Sequence, residues 1–105
     1  MGSGITALVP TYEGDDSTEL SQSIGSLLEQ TRPPDEIVVV EDGPLTTDLS
    51  ATLDRLQKQA TMPVRRIQLE ENVGQGAARR VGIKRAEGEF VTIHDADDIA
   101  VPERI

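Results

Sequence analysis

Apolar positions along this chain switch between two spacings. Ile5 to Val9 is a short β-leaning run ended by Pro10, and Glu36 to Val40 is an almost unbroken apolar stretch. Between them, Leu20, Ile24, Leu27 and Leu28 recur at helical spacing, one stripe of a helix over Ser17 to Gln30. Asp16 with Glu19 three residues later reads as a capping box at its start, and Pro33-Pro34 as its stop.

The alternation then repeats. Leu49, Leu53 and Leu56 mark a second helix over about Thr47 to Ala60, broken by Pro63, and Val64 to Leu69 follows as a third strand. A third helix, roughly Gln75 to Ala86, carries Ala78, Val81 and Ala86 on one side; Gly88 ends it, and Glu89 to His94 is a fourth strand. A strand without polar alternation is buried on both faces, which favours a parallel sheet covered by helices. The order β-α-β-α-β-α-β with short joins predicts an α/β fold, a three-layer α/β/α Rossmann-like sandwich with right-handed crossovers and strand order 3-2-1-4. At 105 residues the chain has room for one domain, spanning 1–105.

Ligands of such sheets bind beyond the carboxyl ends of the strands. Those ends hold Pro10-Thr11-Tyr12-Glu13, Glu41-Asp42-Gly43, Glu70-Glu71-Asn72 and Asp95-Ala96-Asp97-Asp98. The last group crowds three carboxylates into four residues, and their mutual repulsion asks for a hard divalent cation such as Mg²⁺ or Mn²⁺. The bland reading is an acidic loop capping the helix that Pro102 would open, a role that suits Asp98 best. Asp42 either accepts from a base N–H or a ribose hydroxyl, or bonds its own backbone as Asp-Gly turns do. Arg79 sits on the first turns of its helix, where a cation opposes the macrodipole. It either aims at a phosphate or a base carbonyl or pairs with Glu70 or Glu71. Tyr12 stacks on a base or packs its own turn. His94, the only histidine, reads as a core residue rather than a ligand.

Composition narrows the functional classes. A net charge of −9, from 19 acidic and 10 basic residues, argues against nucleic acid and anionic lipid as partners. Arg outnumbers Lys (only Lys58 and Lys84), a balance that fits either a salt-adapted or an ordinary acidic protein. No apolar run is long enough to span a membrane. With no cysteine and no signal-peptide pattern, a cytoplasmic location is expected. Gly74-Gln75-Gly76 lacks the third glycine of a dinucleotide fingerprint, Arg79 standing in its place, and no Gly-Lys-Ser/Thr makes a P-loop. A lone His, no Cys and no Gly-x-Ser-x-Gly elbow leave hydrolase chemistry unsupported.

Four blocks carry a family resemblance: Val9-Pro10-Thr11-Tyr12-Glu13, Ile37-Val38-Val39-Val40-Glu41-Asp42-Gly43, Asn72-Val73-Gly74-Gln75-Gly76-Ala77-Ala78-Arg79, and Gly88-Glu89-Phe90-Val91-Thr92-Ile93-His94-Asp95-Ala96-Asp97-Asp98. In this order and spacing they closely resemble family 2 glycosyltransferases of the GT-A fold, over nearly the whole chain. The resemblance implies a nucleoside-diphosphate sugar donor, UDP-sugar favoured, an unknown acceptor, and inverting, metal-dependent transfer. It assigns donor binding to Pro10, Thr11, Tyr12, Glu13, Asp42, Arg79 and Asp95. It also implies that Asp95 and Asp97 hold the Mn²⁺ or Mg²⁺ bridging the diphosphate, which would neutralise charge on the leaving group.

Departures from the family pattern are Glu13 where Asn is frequent, Glu41 where the first of two Asp is common, Arg80 for a usual Asn, and His94 for an apolar residue. They bear on donor choice rather than on the metal pair. Family catalytic domains run well beyond 105 residues, with the acceptor half and its general base after the Asp-x-Asp. The chain is therefore expected to be a truncated, donor-binding half without a catalytic base. Its fourth strand would then be an open edge, and self-association through Glu89 to His94 is expected. A non-catalytic nucleotide-binding module is the competing reading. A sugar-phosphate nucleotidyltransferase would want a Gly-rich, basic first loop. A phospho-acceptor domain would want an acidic pair after the first strand.

Overall fold

The computed structural model describes residues 4–93. Their elements are β1 (Ile5–Thr11), α1 (Ser17–Leu28), β2 (Glu36–Glu41), α2 (Thr47–Gln59), β3 (Val64–Gln68), α3 (Gln75–Arg85) and β4 (Phe90–Ile93). The four strands form one sheet in the order β3-β2-β1-β4, every neighbouring pair parallel. The predicted strand order and Rossmann-like layering hold.

Each side of the sheet is covered for a reason visible in the residues. Leu20, Ile24 and Leu27 of α1 and Leu49, Leu53 and Leu56 of α2 bury their stripes against Ala7, Val9, Ile37, Val39 and Val64. The other face, Leu8, Val38 and Val40, takes Ala78 of α3. That third helix has little apolar surface and reaches the sheet by coming close: a Cβ at Gly82 would overlap Leu8 Cδ1 and lie 2.9 Å from Val40 Cγ2. Small residues rather than a greasy stripe seat this layer.

Two boundaries differ from expectation by two residues, and several others by one. β1 runs through Pro10 to Thr11 instead of stopping at the proline. Asp42 N donates to Thr11 O at 2.8 Å, so Thr11 turns its backbone groups to β2 and Pro10 turns its own the other way. The missing N–H therefore removes nothing from the β1–β2 ladder. α1 stops at Leu28, ahead of both Gln30 and the prolines, because its end tightens: Gln30 N bonds Leu27 O, three residues back. Its start is as predicted, with the Asp16 carboxylate accepting from Thr18 N and Glu19 N at 2.8 and 3.0 Å.

At the amino edge of the sheet, buried Glu36 gathers four segments. Its carboxylate accepts from Thr6 Oγ1 (2.5 Å), Arg65 Nε (3.1 Å) and Glu87 N (2.6 Å), and Thr6 Oγ1 in turn accepts from Gly88 N (2.9 Å). Burial alone would push the Glu36 pKa up; the Thr6 hydroxyl, the Glu87 amide and the Arg65 guanidinium outweigh it and hold it below the ordinary glutamate value. This network lies at the end of the sheet opposite the carboxyl ends of the strands, and it ties β1, β2, β3 and the α3–β4 loop together. Among the described residues β3 and β4 are the two edges of the sheet, and β4 leaves Phe90 58% and Ile93 37% exposed. No helix among them is long and apolar enough to cross a membrane.

Candidate functional site

The carboxyl ends of β1 and β2 lie side by side, in register to Thr11↔Glu41. Past β1 the chain turns at once, and Asp15 closes the turn. Its Oδ2 accepts from Thr11 Oγ1 at 2.7 Å and Tyr12 N at 3.1 Å, while its own N–H donates to Tyr12 O at 3.1 Å. The Tyr12 ring lies across Gly14, where an added Cβ would stand 2.5 Å from ring carbon Cε2. Gly14 thus leaves room for a partly exposed aromatic face at the strand end.

Past β2 comes Asp42, only 5% exposed. Its Oδ1 accepts from Val73 N at 2.7 Å and its Oδ2 from Gly74 N at 3.1 Å. The Asn72 side chain adds a bond from Nδ2 to Asp42 O at 3.3 Å. Neither bond reaches Asp42's own turn, the less favoured of its two readings: Asp42 fastens the loop that opens α3, about thirty residues away in sequence. Gly43 makes the approach feasible. Its φ is +89°, and a Cβ would come within 2.9 Å of Asn72 N, so two loops meet where no side chain fits.

These turns enclose a small cleft lined by Pro10, Thr11, Tyr12, Asp15, Asp42 and Gln75. Four of the predicted site residues are brought together there. Glu13 is exposed on the turn and Arg79 is half-buried on α3, and neither lines the cleft. Asp95 and Asp97, with His94 and Asp98, lie outside the described residues. Asp15 and Gln75 were missed. Asp15 had a signal: two adjacent aspartates precede one helix, and only Asp16 caps it, leaving its neighbour for other work. Among the described residues the cleft wall contains two carboxylates and no basic side chain, so it suits neutral groups rich in N–H and O–H rather than phosphate.

A more open groove lies on the far side of the β2 end, lined by Glu41, Gly43, Leu45, Ser50, Gln68 and Glu70 among others. Glu41, expected at the ligand edge, is engaged here within the fold. Arg66 Nε donates to its Oε2 at 2.5 Å, and the same guanidinium pairs with Asp54. Burial lowers the Arg66 pKa, but Glu41 and Asp54 more than restore it, and the net shift is upward. Among the described residues there is no group of three or more His, Cys, Asp or Glu that could hold a metal ion.

Comparison with known proteins agrees with this fold. Residues 6–105 match the family model described as Glycosyl transferase family 2. The amylovoran biosynthesis glycosyltransferase AmsE of Erwinia amylovora is 36% identical over 99 residues, covering 94% of this chain and 36% of that protein. The UDP-Gal:alpha-D-GlcNAc-diphosphoundecaprenol beta-1,3-galactosyltransferase of Escherichia coli is 30% identical over 94 residues, covering 90% and 34%. The chain thus spans about a third of the length of the curated relatives it matches. Among solved structures, the mannosyltransferase PcManGT of Pyrobaculum calidifontis, in complex with GDP-Man and Mn²⁺, superposes with TM-score 0.83 at 26% identity, covering 99% of this chain and 30% of that one. S. aureus TarS 1-349 in complex with UDP-GlcNAc gives 0.77 at 33% identity, covering 95% and 28%.

Proposed function

The chain belongs to glycosyl transferase family 2, and from that premise we propose that it is the donor-binding part of an inverting, metal-dependent glycosyltransferase. Its ligand is a nucleoside-diphosphate sugar, UDP-sugar by preference. The observation that carries this reading is the cleft at the carboxyl edge of β1 and β2, where Pro10, Thr11, Tyr12 and Asp42 converge. The aromatic face of Tyr12 beside carboxylate acceptors suits a flat heterocycle and a ribose. Structures similar to this chain have been obtained with UDP-GlcNAc and with GDP-Man and Mn²⁺, which supports a nucleotide-sugar ligand.

An acidic cleft repels a diphosphate, so the anionic part of the donor must lie elsewhere and be neutralised by other groups. Asp95 follows β4 by two residues and Asp97 by four. We assign them the divalent metal, Asp95 facing the ribose as well, with Glu13 and Arg79 flanking the donor. The bound metal would act as a Lewis acid toward the departing nucleoside diphosphate. Self-association at the β4 edge and a cytoplasmic location belong to the same reading.

Isothermal titration of the chain with UDP, GDP, CDP and ADP in the presence of Mn²⁺ tests it. UDP is expected to bind most tightly. Failure of all four to bind would refute the donor-binding reading.

A further inference from the structure

Strand β2 holds α3 at both ends. Asp42, directly after the last residue of the strand, accepts from Val73 N at 2.7 Å and Gly74 N at 3.1 Å, and so clamps the helix entry. Glu36, the first residue of the strand, accepts from Glu87 N at 2.6 Å, just past the helix exit. Arg65 reinforces this second tie. Its Nε donates to Glu36 Oε1 at 3.1 Å, and its Nη2 donates to Arg85 O on the last residue of α3. The lengths agree: six steps along a strand set Glu36 and Asp42 about 20 Å apart. The 11 residues of α3 rise about 16 Å, and the residues just outside each end reach the two carboxylates.

Between these ties the helix has a narrow footing. Among the described residues α3 buries Ala78 and Gly82, one turn apart, the second so close to the sheet that an added Cβ would overlap Leu8 Cδ1. Interdigitating side chains are what lock a packed element in place, and two small residues supply few of them. The polar ties at the ends therefore fix the tilt. Resting on the nucleotide reading above, we propose that Glu36 is a positioning residue for the donor site. Its hold on the exit of α3 sets the tilt of the helix, and with it the place of Gln75 in the cleft wall and of Arg79 one turn along. A helix is a rigid element that carries a displacement from one end to the other. Freed at its exit, α3 rocks on Ala78 and Gly82, and apparent affinity falls by the fraction of time the cleft wall is out of place.

Three variants and a control separate positioning from stability. Glu36→Ala removes the acceptor of Glu87 N. Arg65→Met removes the tie to Arg85 O but keeps a carbon stem, and it carries the test if Glu36→Ala does not fold. Glu36→Gln keeps an oxygen for Glu87 N. Ile24→Val, the control, loosens the α1 layer on the opposite face of the sheet. Each is titrated with UDP and Mn²⁺ where circular dichroism finds it folded. Amide chemical shifts at Val73, Gly74 and Gln75 are read without ligand, a property of the folded state that lower stability alone does not move. UDP affinity should fall about three-fold or more in Glu36→Ala and Arg65→Met and less in Glu36→Gln, with the three amides shifted in the same order. Ile24→Val should change neither. Wild-type affinity and shifts in Glu36→Ala and Arg65→Met would overturn the proposal, as would equal changes in Ile24→Val. Wild type that binds no UDP would overturn the donor reading itself. The ligand-free shifts keep that result distinct from a failure of the hold on α3.

Discussion

Asp42 shows what a single residue does beyond its local turn. Its two bonds to Val73 and Gly74 pin the entry to α3, and Gly43 beside it lets the loops touch. Removing the carboxylate leaves two backbone N–H groups without their acceptor, so Asp42→Ala should cost about 1–3 kcal/mol. Amide hydrogen exchange by NMR should show protection lost at Val73 and Gly74 first; unchanged exchange there would contradict the clamp. That Asp42 lies at the ligand edge was legible from the buried strand before it. Its partners were not, because a bond across thirty residues leaves no local pattern. Asp15 was half legible: adjacency to a capping aspartate marks it as spare, but only the folded turn shows its two donors.

At the scale of elements, strands and the first two helices were readable because each carries a period that burial demands. The third helix was placed correctly for a weaker reason, its flanking glycines. Its expected stripe of Ala78, Val81 and Ala86 is only partly the contact: Ala78 and Gly82 are buried, and closeness of backbone replaces side-chain bulk. Gly82→Ala should destabilise by about 1–3 kcal/mol, since Leu8 and Val40 are fully buried and have no room to yield. Urea unfolding measures this, and a neutral result would mean that α3 packs less closely. The elements are also joined by Glu36, whose pKa is lowered in the fold. A lowered pKa stabilises the fold fully above the unfolded value and is lost as pH falls through the folded one. Wild type should therefore lose stability steeply below about pH 4, and Glu36→Gln, weaker by about 2 kcal/mol near neutrality, should lose less over that range. Parallel pH slopes for the two proteins would exclude this role.

At the scale of the whole molecule, the carboxyl end of the sheet gathers the cleft we propose for the donor and the amino end the Glu36 network, so the proposed site and a stabilising network have separate seats. The order of elements made this division readable in advance. The small cleft itself was not, because its shape depends on how Tyr12 lies over Gly14. Among the described residues β4 leaves an open edge with Phe90 and Ile93 exposed, and a chain of net charge −9 repels its own copies until salt screens it. Sedimentation velocity should show association growing with ionic strength; a monomer at every salt concentration would contradict an adhesive edge. The central claim, a metal-assisted nucleotide-sugar site, is tested most directly by calorimetric titration of UDP with and without Mn²⁺, on this chain and on Asp97→Ala. Mn²⁺ should strengthen UDP binding in the wild type and have little effect in the variant. UDP binding that is indifferent both to the metal and to the loss of Asp97 would contradict it.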